Sequence, residues 1–229
     1  MLEQRLAVES VSLTYGSART QVRALDGVSL SFQRGHLTLV SGPSGSGKTT
    51  LLAVLGCLLV PDTGEVRVMG QRVNELPEEE RARIRRQSIG YIFQAFRLFH
   101  SLSALDNVLL SRRISGNGGC RRETGLQALE AVGLGGKAWL KPHELSGGEK
   151  QRVAIARVLV NQPPIILADE PTASLDTASG AAIARLLLDL AQQQRVVVVV
   201  SHDLRWHAFC HRMVTFRDGC VTDDCEVAI

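Results

Sequence analysis

The amino-acid sequence predicts an α/β fold in which a parallel sheet forms the core and a helical segment is inserted into the chain. Three observations lead there. The runs Ile165-Ile166-Leu167-Ala168 and Val196 to Val200 are apolar at every position, as parallel strands buried on both faces must be. The run Leu37-Thr38-Leu39-Val40 reads as a strand leading straight into a glycine-rich loop that opens a helix. The final third of the chain alternates strand-like and helix-like segments.

The elements follow in order. Leu6/Val8, Val11/Leu13/Tyr15 and Val28/Leu30/Phe32 alternate like half-buried strands. Leu51 to Val60 is apolar nearly all round, which predicts a buried helix ending at the turn Pro61-Asp62-Thr63-Gly64. Glu65 to Val68 alternates again as a strand. A surface helix is expected over Glu75 to Arg86, with Pro77 in its first turn, Glu78 to Glu80 at its positive end and Arg81 to Arg86 towards its negative end. A strand over Ile89 to Phe93 ends at Gln94. From Ala95 to about Val160 the pattern is helical, broken by Ser115-Gly116-Asn117-Gly118-Gly119. A helix over Ser179 to Gln193 separates the two all-apolar strands. No internal repeat of solenoid period is present.

Composition narrows the class. The chain has 229 residues, 45% apolar and 21% charged, enough for a real core without disulfide or metal staples. A net charge of +3 with 4% aromatics argues against a nucleic-acid groove, which needs clustered Lys/Arg with interleaved aromatics. The start, Met1-Leu2-Glu3-Gln4-Arg5, lacks a signal-peptide pattern, and no apolar run approaches the ~20 residues of a spanning helix. Five cysteines (Cys57, Cys120, Cys210, Cys220, Cys225) form no CxxC pair, so free thiols in a reducing cytosol are expected.

Three segments carry chemistry. Gly42-Pro43-Ser44-Gly45-Ser46-Gly47-Lys48-Thr49 matches GxxxxGK[ST] between a strand and a helix, the context that makes this motif a phosphate cradle. Backbone N–H groups and the helix dipole would hold phosphate oxygens. Lys48 would reach the β- and γ-phosphates, and the Thr49 hydroxyl would ligate Mg²⁺. Asp169-Glu170 follows the apolar strand at the end where sheets of this class bind ligands. Asp169 is the expected Mg²⁺ partner, and Glu170 is placed to polarise a water attacking the γ-phosphate. Leu145-Ser146-Gly147-Gly148-Glu149 opens a helix with Val153, Ala156 and Leu159 on its apolar side, making a second anion-binding helix start.

Taken together, these segments resemble the ATP-binding cassette (ABC) ATPases, over nearly the whole chain and in the family's order. The resemblance implies further roles. Tyr15 stands where the family stacks an aromatic on adenine. Gln94 matches the Q-loop glutamine, which senses Mg²⁺ and the attacking water. Leu145 to Glu149 matches the signature motif, with Glu149 where Gln is also common, and Ala173-Ser174-Leu175-Asp176 matches the D-loop. His202 matches the switch histidine that contacts the γ-phosphate. His211 departs from relatives with an acidic residue there.

The candidate catalytic residues are therefore Lys48, Gln94, Glu170 and His202, and the candidate Mg²⁺ residues are Thr49, Gln94 and Asp169. The candidate ATP-binding residues are Tyr15, Gly42, Pro43, Ser44, Gly45, Ser46, Gly47, Lys48, Thr49, Thr50, Ser146, Gly147, Gly148, Glu149 and Asp176. The resemblance implies a P-loop NTPase core with an antiparallel β subdomain (1–94 and 159–229 together) and an inserted helical subdomain over 95–158. It also implies a head-to-tail dimer in which the signature of one copy closes over ATP on the other.

The stretch from Gly42 through Glu65, with Lys141-Pro142-His143-Glu144 leading into the signature, looks most like the macrolide-export and lipoprotein-release branch. On that resemblance the chain is expected to lie on the inner face of the cell membrane and to energise a separate multi-pass permease. A division-type ABC ATPase and an importer ATPase are the alternatives. Two smaller expectations remain. Phe96, Leu98 and Phe99 would, on the resemblance, border the permease groove, with a place in the core as the alternative. His207 and His211, at i, i+4 spacing, would share a helix face, read as solvated rather than as a metal site.

Overall fold

The computed structural model describes residues 5–16, 20–116 and 121–228. The expected leader-free start at 1–4, the glycines of the break over 117–119 and Cys120 lie outside the described residues. Elements in chain order are β1 (Leu6–Tyr15), β2 (Val22–Phe32), β3 (Leu37–Ser41), α1 (Lys48–Leu55), β4 (Thr63–Val68), β5 (Gln71–Arg72), α2 (Glu78–Ser88) and β6 (Ile89–Ile92). They continue with α3 (Ala104–Ile114), α4 (Arg122–Glu130), α5 (Gly147–Leu159), β7 (Ile165–Asp169), α6 (Thr177–Gln192), β8 (Val196–Val200), β9 (Arg212–Arg217) and β10 (Cys220–Glu226).

Two sheets result. The antiparallel one runs β2-β1-β4-β5, and the second runs β10-β9-β3-β8-β7-β6, parallel from β9 through β6 with β10 antiparallel at its edge. The valine strand explains the layering. Val197 and Val199 face one apolar cluster with α3 to α6, whereas Val196, Val198 and Val200 face another with α1 and the antiparallel sheet. Every valine of β8 is essentially inaccessible, each worth about 1.5–3 kcal/mol of burial. The central sheet is thus sandwiched, which its unbroken apolar strands require.

Several boundaries differ from the sequence expectation for local reasons. The helix expected to run to Val60 stops at Leu55. Cys57 takes a left-handed φ of 55°, the Leu58 and Leu59 N–H groups both return to the Ala53 carbonyl, and Leu58 and Val60 become exposed. Glu75 and Leu76 precede α2, because Pro77 is extended (ψ 154°) and serves as its N-cap. Phe93 lies beyond β6, and 95–103 is not helical. The helical stretch starts at Ala104, where the Ser103 side chain caps α3 by accepting the Asp106 N–H. The hairpin of β9 and β10 turns at Asp218-Gly219, with φ of 49° and 80°, a dipeptide suited to such a turn.

The expected shared helix face of His207 and His211 does not form. A 3₁₀ turn over Leu204–Phe209 carries His207 and ends before His211. The His211 ring instead stacks on His36, with centroids 4.9 Å apart, and its Nδ1 accepts the Leu37 N–H at 3.0 Å.

Candidate functional site

Strands β3, β8, β7 and β6 are mutually parallel, so their carboxyl ends meet at one edge of the sheet. At that edge lie the loop after β3, Gln94 two residues beyond β6, Asp169 and Glu170 at the end of β7, and Ser201 and His202 after β8. In sheets of this kind, that edge is where ligands sit.

The loop after β3 depends on glycine. Gly42, Gly45 and Gly47 have φ of 143°, 81° and 101°. A Cβ on Gly42 would come within 2.1 Å of the Phe216 carbonyl oxygen, and one on Gly47 within 2.2 Å of that of Ala24. No other residue fits either position without moving backbone. Gly47 hands the chain to α1, whose first residue, Lys48, folds back over the loop. Its Nζ donates to the carbonyls of Gly42 (2.8 Å) and Pro43 (2.6 Å) and to Ser46 Oγ (3.4 Å). Burial pushes the Lys48 ammonium below its usual range, against the opposing pull of Glu170 and Asp169. An ammonium held on weakly charged carbonyls beside two carboxylates is poised to exchange them for an anion.

Thr49 and Asp169 face each other across α1 and β7, with Thr49 Oγ1 donating to Asp169 Oδ1 at 3.3 Å. Burial raises the Asp169 carboxyl above its usual range, only partly offset by that hydrogen bond. A half-buried carboxylate beside a hydroxyl is the oxygen-donor chemistry that suits a hard divalent cation. The residues present therefore fit Mg²⁺.

Glu170 is held on three sides. His202 Nδ1 lies 2.6 Å from Oε1, the His202 N–H donates to the same oxygen at 3.2 Å, and Ser201 Oγ donates to Oε2 at 2.9 Å. Its own backbone sits at φ 46°, a conformation kept by the Glu170 N–H donating to the Val200 carbonyl. The contact between Glu170 and His202 joins two residues singled out separately in the sequence. Ser201, fully buried, was not foreseen; a polar residue between the valine strand and His202 was its only signal.

Tyr15 ends β1 with its ring about half exposed, its hydroxyl 3.5 Å from Thr50 Oγ1. It therefore stands over the start of α1. Gln94 is exposed. The β6–β7 register pairs Ile92 with Ala168, so Gln94 leaves the sheet alongside the Asp169-Glu170 turn.

Ser146 to Glu149 form a separate feature. Ser146 caps α5, its Oγ accepting the Glu149 N–H (3.3 Å) while Glu149 Oε2 accepts the Ser146 N–H (2.9 Å). Its neighbours are at the start of α6. A Cβ on Gly148 would meet Ser179 Oγ at 2.8 Å, and one on Gly147 would touch Leu175 at 3.4 Å. Asp176 caps α6 by accepting the Ser179 N–H at 2.9 Å, which holds its carboxyl below the usual range. Within the chain, then, the signature segment is brought to 174–179.

A nucleotide-type loop, a cation-fitting pair and a held carboxylate on one sheet edge, with a second glycine-opened helix start packed on the start of α6, define an ABC-type cassette. The chain belongs to the ABC transporter family, which residues 25–173 match. Among relatives, the macrolide export ATP-binding/permease protein MacB of Chlorobaculum tepidum is 43% identical over 219 residues, covering 96% of this chain and 34% of that protein. The pyoverdine export ATP-binding/permease protein PvdT of Pseudomonas aeruginosa is 43% identical over 210 residues, covering 91% of this chain and 32% of its own length. The chain thus spans about a third of the length of these curated relatives.

Among solved structures, the dimeric ATP-binding cassette MJ0796 in a post-hydrolysis state bound to ADP and Pi is 39% identical. It superposes with a TM-score of 0.89, over 98% of this chain and 99% of that one. The expected family, fold class and export branch all agree with these relatives.

Proposed function

We propose that the chain is the ATP-binding and ATP-hydrolysing cassette of an export-type ABC system, working as a head-to-tail dimer and driving a membrane permease. The observation that carries this reading is the Glu170–His202 contact at 2.6 Å, beside the Thr49–Asp169 pair and the Lys48 loop. ATP phosphates lie in the loop from Gly42 to Thr50, with Tyr15 under the adenine. Lys48 leaves the Gly42 and Pro43 carbonyls for the β- and γ-phosphates. Thr49 and Asp169, with Gln94, would hold Mg²⁺, which would supply positive charge to the phosphates. Glu170 orients and deprotonates the attacking water, and His202 turns between Glu170 and the γ-phosphate.

The second anion site completes the centre. Ser146, Gly147 and Gly148 of one copy neutralise γ-phosphate charge on the other, with Glu149 and Asp176 flanking the contact. A two-fold pair built this way is isologous and closed, as most soluble oligomers are. ATP favours the closed pair and hydrolysis removes that preference.

The permease assignment rests on the names of MacB and PvdT, both ATP-binding/permease export proteins, and it favours export over import or division. No helix of the described residues is long and apolar enough to cross a membrane. Docking on the inner face of the membrane is part of the same proposal and rests on the permease names of the relatives. The docking surface is the groove beside β6, about 370 Å³, bordered by Tyr91, Phe93, Phe99 and Arg157. Leu98 belongs to the core and Phe96 packs half-buried on it, which leaves Phe99 as the exposed aromatic of that trio. The test is steady-state hydrolysis by purified chain. Activity per molecule should rise with protein concentration and vanish in Glu170→Gln. Concentration-independent turnover, or a fully active variant, would overturn the reading.

A further inference from the structure

The signature segment of this chain carries a negative charge at a helix start meant for an anion. Glu149 is the third residue of α5, and its carboxylate lies against the Ser146 N–H, at the helix end where the Gly147 and Gly148 N–H groups point. An ionised carboxylate there opposes a phosphate approaching the same donors. Its other oxygen is paired with a cation. Oε1 is met by Lys137 Nζ at 2.5 Å, from a 3₁₀ turn over Gly135–Lys137 that lies 12 residues upstream.

We propose that Lys137 is a positioning residue for hydrolysis. It neutralises and aims the Glu149 carboxylate, so that the start of α5 can accept the γ-phosphate of ATP held by a second copy. The inference rests on the dimeric reading above. The bond to Lys137 is the main reason the Glu149 carboxyl is held below its usual range, so the carboxylate stays charged and its partner is needed. Stability does not account for the pair. The Lys137 side chain is 47% exposed, and exposed ion pairs contribute at most about 1 kcal/mol. At a closed interface, where water is excluded, the same charges act more strongly on a third one.

Lys137 is assigned an action through Glu149, so the test must separate positioning from structure. Lys137→Met is made in the wild-type and in the Glu149→Gln chain, and each is compared with its own parent. With Glu149 present, losing the lysine should lower kcat/KM for ATP about five- to tenfold, the scale of one uncompensated charge at an interface. The loss should shrink with added salt. In the Glu149→Gln parent, removing the lysine should change kcat/KM less than about twofold.

ATP affinity of dilute, monomeric protein, read by a fluorescent ATP analogue, should be equal in all four chains, because the donors act on the partner's nucleotide. Equal loss in both parents, or weakened ATP binding by the monomer, would overturn the proposal. Hydrolysis by the wild-type chain that does not depend on protein concentration would instead remove the dimeric reading beneath it.

Discussion

Asn107 provides the sharpest structural prediction. It lies in α3 at 0% exposure and ties down the loop that carries Phe99. Its Oδ1 accepts the Phe99 N–H at 2.8 Å, and its Nδ2 donates to the carbonyls of Phe99 (3.1 Å), Leu102 (3.2 Å) and Ser103 (2.9 Å). In Asn107→Ala, the Phe99 and Ser103 carbonyls keep the donors Leu102 N and Asn107 N. The loss therefore falls on the Phe99 N–H and the Leu102 carbonyl, at about 1–3 kcal/mol for each group left buried. Phe99 is half exposed and water can reach part of its backbone, so the sum is about 2–3 kcal/mol. For a chain of this size that lowers Tm by roughly 4–12 °C.

Asn107→Asp should be worse than alanine, because it turns a donor into an acceptor facing three carbonyls. Thermal and urea unfolding read both. A Tm within about 2 °C of wild type for the alanine variant, or aspartate tolerated better than alanine, would refute the reasoning.

Three further predictions concern the site and its surroundings. Burial disfavours the ionised form of Asp169, so Asp169→Asn should raise the Tm of the nucleotide-free protein while cutting Mg²⁺-dependent hydrolysis about 100-fold or more; a less stable variant that turned over normally would contradict this. His211 is held below its ordinary 6.5 by burial and by His36, so the unfolded chain binds the proton better. The stability this group contributes is present above that pH and is lost as pH falls, and Tm measured from about pH 7 to about pH 5 should drop more in wild type than in His211→Gln. Phe99→Ser should leave Tm and ATP binding unchanged and weaken stimulation by the permease, whereas Phe96→Ser, at a half-buried position, should cost stability. Permease stimulation unaffected by Phe99→Ser would remove this residue from the docking surface.

The parts of the molecule that were legible in the sequence are those where one physical requirement dominates. All-apolar β7 and β8 must be buried on both faces. The glycines at 42 and 47 must take left-handed φ against neighbouring carbonyls. Asp169 and Glu170 follow directly from the end of a buried strand.

What was hidden depends on tertiary contacts. The early end of α1 is the local exception: Gly56 caps it and the Leu58 and Leu59 N–H groups return to the Ala53 carbonyl, a stop masked by the apolar run from Leu51 to Val60. His207 and His211 have helical spacing, yet strand β9 draws His211 onto His36. Ser201, Asn107 and Lys137 have no motif of their own. They matter through Glu170, Phe99 and Glu149, and those pairings exist only once the chain is folded.

The proposed site is completed between two copies. The most direct measurement is sedimentation of Glu170→Gln with Mg²⁺ and ATP. The variant should bind ATP at wild-type affinity, move from monomer to dimer only when ATP is present, and return to monomer when ATP is replaced by ADP. A variant that binds ATP and stays monomeric at every concentration would contradict the central claim.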